Sequence, residues 1–162
     1  MPGRPAFKAL TNAPGSISGA RLVLTSNAVG FIRPHLPFNA PGKYWEMYNE
    51  SDLPLTPSPD IPENVDPASL HNSGEFNSYR SGDERPSLSS PVSDAYARKL
   101  THAYYASVSY LDAQVGKVLE QLDQLGLSKN TIVIVWGDHG WHLGDHGYWT
   151  KHTNYEQATR IP

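Results

Sequence analysis

The most regular pattern along the chain is an apolar stripe between Ser93 and Leu125. Leu100, Tyr104, Val108, Leu111, Val115, Val118, Leu122 and Leu125 recur at spacings of three and four, the repeat that lines one face of a helix. Ser93 can cap the start of that helix, with Pro91 just outside it, and Gly126 can stop its end. Leu127 to Asn130 then turns the chain into Ile132-Val133-Ile134-Val135-Trp136, a run of β-branched and aromatic residues. Too short for an ordinary helix, the run predicts a strand over Thr131 to Trp136 that is buried on both faces. Helix, short turn and buried strand make half of a βαβ unit, so the pattern predicts an α/β fold with a mainly parallel sheet covered by helices.

Elsewhere the pattern is weaker. Residues 1–27 open with small and polar residues broken by Pro and Gly, and they predict an irregular leader. Two short apolar runs follow, Leu22-Val23-Leu24 and Ala28 to Ile32, and the second is the better strand candidate. Beyond it, Pro34 and Pro37 forbid a helix and predict an extended backbone around His35. Residues 39–92 carry most of the proline and no sustained period, beyond one helical turn expected around Tyr44 to Tyr48. A connection this long is either functional or disordered.

Composition narrows the classes. The chain has 162 residues, enough for one domain with a real core, and 14 Pro with 13 Gly agree with long irregular connections. Charged residues are 18 % and the formal net charge is −3, which leaves no electrostatic footprint for nucleic acid. With no cysteine, a disulfide framework and a thiolate metal site are excluded. No apolar run reaches membrane-spanning length, and no secretory signal follows Met1.

The candidate chemistry follows the predicted strand. Gly137-Asp138-His139-Gly140 places a carboxylate and an imidazole between glycines where a parallel strand would end, the position at which open α/β sheets build their functional crevice. Asp138 and His139 read in two ways, as ligands of a divalent cation or as a strand-end cap with a histidine satisfied by backbone. A second Gly144-Asp145-His146-Gly147 follows, and then Lys151. His139, His142 and His146 could be grouped as a zinc site, although Gly140, Gly144 and Gly147 speak against the regular helix that such spacing needs. His146 then reads as a loop brace held by hydrogen bonds.

The string GDHGWHLGDHGYWTKHTNYEQATRIP, with the strand before it, resembles the late active-site segment of the sulfatases in the alkaline-phosphatase superfamily, in their iduronate-2-sulfatase-like branch. Gly30-Phe31-Ile32-Arg33-Pro34-His35-Leu36-Pro37-Phe38 resembles the G-F-x-x-P-H-x-P-F of the same branch, and residues 103–112 resemble its Y-x-A-S-V-S-Y-x-D helix. The resemblance covers residues 28–162 and fades before them. It implies a partial sulfatase-type, alkaline-phosphatase-like fold, incomplete at both ends, and hydrolysis of sulfate esters, sulfated carbohydrate foremost, in the complete enzyme. It also implies calcium held by Asp138 and His139, with His35 and Lys151 against the sulfate. Tyr79, Arg80 and Arg85, in the long connection, become candidate specificity residues. By the same resemblance, complete relatives are usually secreted, periplasmic or lysosomal. The family's nucleophile is a formylglycine made from the first residue of a C/S-x-P-x-R string, and neither that string nor an Asp-Asp pair occurs in this sequence. The expectation is therefore a fragment completed by an upstream segment or chain. The alternatives are a non-catalytic remnant or binding module and a phosphate-ester hydrolase of the same superfamily.

Overall fold

The computed structural model describes residues 8–11, 15–17, 20–22, 25–79 and 84–161. It comprises two compact units, Met1–Ile32 and Arg33–Pro162. Among the first unit's described residues are four short strands, β1 (Lys8–Thr11), β2 (Gly15–Ile17), β3 (Ala20–Leu22) and β4 (Thr25–Ala28). β1 pairs antiparallel with β4, Lys8 opposite Ala28, and β2 pairs antiparallel with β3, Gly15 opposite Leu22. Strands thus stand where an irregular leader is expected, because main-chain pairing between separated segments leaves no local period to read. The strand expected at Ala28 to Ile32 is corrected: β4 ends at Ala28, and residues 29–32 are exposed and lie outside any strand.

In the second unit the long helix forms as its period requires. α1 (Gly42–Trp45) and α2 (Gly74–Ser78) are single turns, and α3 runs from Asp94 to Gln124. Ser93 caps α3, its hydroxyl accepting from the Tyr96 N–H. The end is closed by Gly126 at φ 70°, where Gly126 N donates to Asp123 O and Leu127 N to Leu122 O. A side chain at that positive φ would be strained, which is why glycine stops this helix. The N-terminal half of α3 buries Leu100, Ala103 and Ala106. Leu100 and Ala103 join Leu36, Phe38, Phe76 and Trp149 in one core cluster. Each large apolar side chain removed from water there contributes roughly 1.5–3 kcal/mol. α1 lies along α3, with the Tyr44 and Tyr110 rings 5.4 Å apart and the Trp45 and His102 rings 4.9 Å apart.

The expected parallel sheet is not seen among the described residues. Residues 131–136 carry no strand pairing, and Ile132, Ile134, Val135 and Trp136 are 90, 83, 78 and 79 % exposed. A strand buried on both faces needs ladder partners at its edges and cover on its faces. The described residues supply neither. The C-terminal half of α3 shares this condition, with Val118 and, just past the helix end, Leu125 exposed on the apolar stripe. No helix among the described residues is long and apolar enough to cross a membrane. A last turn, α4 (Glu156–Thr159), packs close behind the glycine-rich loop, and its Ala158 O accepts from Gly140 N at 2.8 Å. A Cβ on Gly140 would stand 2.1 Å from Gln157 O, so glycine here is a matter of space.

Candidate functional site

Two anchors bring distant segments together. Leu36 and Phe38 are buried in the core on either side of Pro37, which fixes His35 at the core's edge. Residues 33–37 bend and turn where an extended run is expected, because Arg33 folds back and its Nη1 donates to His35 O and Pro37 O, both at 2.9 Å. On the other side, Tyr148, Trp149 and Thr150 are buried in succession. Trp149 N donates to Ser73 Oγ at 2.9 Å, and its ring packs on Phe76. This tie carries the start of α2 up to residues 149–151.

The consequence is a contact across the chain between His35 and Lys151. Lys151 Nζ stands 2.8 Å from His35 Nε2. His35 Nδ1 lies 2.9 Å from Leu36 O, a group that only accepts, so Nδ1 donates to it and Nε2 is the ring nitrogen turned to the Lys151 ammonium. Glu75 completes the group, its Oε1 3.0 Å from Lys151 Nζ and 3.3 Å from His35 Nε2. Lys151 also lies 5.7 Å from the Trp141 ring, within cation–π range, and Tyr79 meets His35 edge-on at 6.2 Å. The side chain of Lys151 is only 12 % exposed, so its charge works in surroundings drier than bulk water.

Asp138 and His139 form a second, separate pair. Asp138 Oδ1 accepts from His139 N at 3.1 Å, and Oδ2 is 3.6 Å from His139 Nε2. His139 Nδ1 donates to Gly140 O at 2.8 Å, so Nε2 is the ring nitrogen on the carboxylate side. With Nε2 deprotonated the two side chains could share one cation, and the Asp138 side chain is open to solvent. Two donors do not make a calcium shell, and no group of three or more His, Asp or Glu suited to a metal occurs among the described residues. No described hydrogen bond or ion pair joins this pair to His35 and Lys151.

The zinc grouping is not assembled. His142 is fully buried, with Nε2 2.8 Å from Thr153 Oγ1 and Nδ1 3.2 Å from Asp145 O. Burial pushes its pKa down from 6.5 to about 4, against the raising pull of Asp145. It is a neutral core histidine that ties residue 153 to the loop. His146 braces the same loop through its backbone N–H to Ser58 O and its ring against Tyr155. Of the candidate specificity residues, Arg80 lies outside the described residues and Arg85 is exposed.

Sequence reasoning passed over Glu75 and Ser73. Both sit in what reads as a solvated connection, and neither belongs to a motif or period that singles it out. Only the tertiary tie through Trp149 gives them a role.

Comparison with known proteins bears on the same residues. The Sulfatase family model matches residues 28–162. Iduronate 2-sulfatase of Mus musculus is 38 % identical over 143 residues, covering 83 % of this chain and 25 % of that protein. Iduronate 2-sulfatase of Homo sapiens is 36 % identical over 140 residues with the same coverage. Choline-sulfatase of Rhizobium meliloti is 31 % identical over 138 residues, covering 83 % of this chain and 25 % of that protein. The chain spans about a quarter of the length of these curated relatives. Every residue of the two pairs described above falls inside the matched stretch, and the chain belongs to the sulfatase family.

Proposed function

We propose that this chain supplies the anion-gripping part of a sulfate-ester hydrolase, with sulfated carbohydrate as the substrate class. The observation that carries the reading is the 2.8 Å contact between Lys151 Nζ and His35 Nε2, formed from segments more than a hundred residues apart and held by core packing on both sides. A lysine fixed in this way presents N–H donors and a positive charge to an incoming oxyanion. His35 presents a ring edge beside it. In the transition state of S–O cleavage charge moves onto the sulfate and leaving oxygens, and a fixed cation near them stabilises that shift without reorganising. Lys151 is the residue proposed for this electrostatic role and His35 for orienting the ester.

Asp138 and His139 are proposed as two ligands of a divalent cation, calcium by the hardness of the carboxylate. A bound cation would act as a Lewis acid on the sulfate. The described residues offer only a corner of such a shell, so the remaining ligands and the formylglycine nucleophile belong to groups outside them. Membership of the family implies an alkaline-phosphatase-like α/β fold, and the exposed run Ile132 to Trp136 is what a neighbouring strand would cover there.

The test is binding and turnover of phenyl sulfate. The 162-residue chain should bind it weakly, lose binding in Lys151→Ala, and show no turnover. An N-terminally extended chain bearing a C/S-x-P-x-R string and an Asp pair, matured by the modifying enzyme, should gain turnover. Robust turnover by the 162-residue chain, abolished in Lys151→Ala, would contradict the assignment of the nucleophile to another segment. Binding indifferent to Lys151→Ala would contradict the grip.

A further inference from the structure

The grip contains a carboxylate that the proposed chemistry leaves unused. Glu75 Oε1 takes the Lys151 ammonium at 3.0 Å and lies 3.3 Å from His35 Nε2, while Oε2 stands 3.9 Å from His152 Nδ1. The Glu75 side chain is 21 % exposed and seated in α2, whose start is tied to Trp149 by Ser73. Its position is therefore fixed by the same packing that fixes Lys151. The Lys151 ammonium and the Glu75 carboxylate therefore meet at the grip as opposite charges.

An anion that enters must take an N–H of Lys151, which brings its oxygens to about 3 Å from Nζ and so within about 4–6 Å of the Glu75 carboxylate. The cost of that approach grows with the anion's charge. A sulfate monoester carries a single negative charge. A phosphate monoester carries nearly two above its second pKa of about 6. We infer that Glu75 is a specificity-determining residue, which makes the His35–Lys151 site choose singly charged esters over doubly charged ones. The inference rests on the reading that this pair grips the ester anion. It assigns discrimination against phosphate monoesters to a fixed negative charge, with shape and the identity of the central atom secondary.

The experiment titrates the 162-residue chain at about pH 8 with phenyl sulfate, phenyl phosphate and methyl phenyl phosphate, read by amide chemical shifts. The last is a phosphorus ester with one negative charge, so it separates charge from element. Glu75→Gln should tighten phenyl phosphate by about tenfold more than phenyl sulfate, the scale of one extra unit charge at this distance in partly screened surroundings. Methyl phenyl phosphate should move with phenyl sulfate. An equal change for all three ligands, or a diester that follows the monoester, overturns the inference and leaves the grip standing. Failure of the wild-type chain to bind any of the three, or binding untouched by Lys151→Ala, overturns the grip and the inference with it. Should Glu75→Gln lose the dispersed spectrum of a folded chain, Glu75→Asp carries the test. Its carboxylate is drawn back by one methylene, so the phosphate-to-sulfate affinity ratio must still rise, by a smaller factor, and an unchanged ratio overturns the inference.

Discussion

Acid should loosen this fold well above the range in which carboxylates titrate, and His142 is the reason. Its imidazole is fully buried, bonded to Thr153 Oγ1, and its pKa is pushed from 6.5 down to about 4. Burial is the main cause; Asp145 pulls the other way through its carbonyl and its charge, and His146 and His71 add a little to the lowering. Above pH 6.5 the ring is neutral in the folded and unfolded chain alike, so its contribution to stability is fully present. Below 6.5 the unfolded chain takes up a proton that the folded chain refuses until about pH 4. Stability is therefore lost as pH falls through this window, at up to about 1.4 kcal/mol per pH unit and about 3 kcal/mol in all. Between about pH 7.5 and 5 the loss should be about 2 kcal/mol, a large share of a typical domain's stability. Urea unfolding followed by tryptophan fluorescence across that range measures it. His142→Gln, which keeps a polar partner for Thr153 and cannot titrate, should flatten the dependence. Glu84 is held below 4.5 by bonds from Ser93, so it acts at lower pH and does not confuse the window. A flat profile in the wild type, or the same slope in His142→Gln, would refute the reasoning.

Three further outcomes follow from single contacts. Ser93→Ala removes the cap on Tyr96 N and the bond to Glu84 Oε1, and should cost about 1 kcal/mol in urea unfolding; an unchanged midpoint would show that the helix start is held elsewhere. Gly140→Ala forces a Cβ against Gln157 O and should cost on the order of 1–3 kcal/mol, visible as a lower melting temperature. Ile134→Lys should change stability by less than about 0.5 kcal/mol, since the side chain is 83 % exposed, and should reduce self-association in light scattering; a large destabilisation would mean the run is packed in solution.

The elements read well from sequence are those whose causes are local. α3 begins and ends within a residue of its expected bounds because Ser93, the three-and-four spacing and Gly126 act over a single turn each. His35 and Lys151 were legible through motifs, and the structure joins them. Asp138 and His139 lie side by side as neighbours in sequence, without contact to the first pair. The sheet was not legible in the same sense. The residues of a buried strand stand at 131–136, but a strand is made by its partners, and the described residues provide none. Glu75 was hidden for the opposite reason. Nothing in its own segment marks it, and its place is set by a backbone bond from Trp149 to Ser73 far along the chain.

The central claim is that His35 and Lys151 act together on one anion, and a double-mutant cycle tests it most directly. Phenyl sulfate affinity is measured for the wild-type chain, His35→Ala, Lys151→Ala and the double variant. Each single change should weaken binding by about tenfold or more, as expected for a charge-assisted hydrogen bond. The double variant should be little worse than Lys151→Ala, a coupling of at least about 1 kcal/mol. Independent, additive losses, or no loss from either change, would contradict the account.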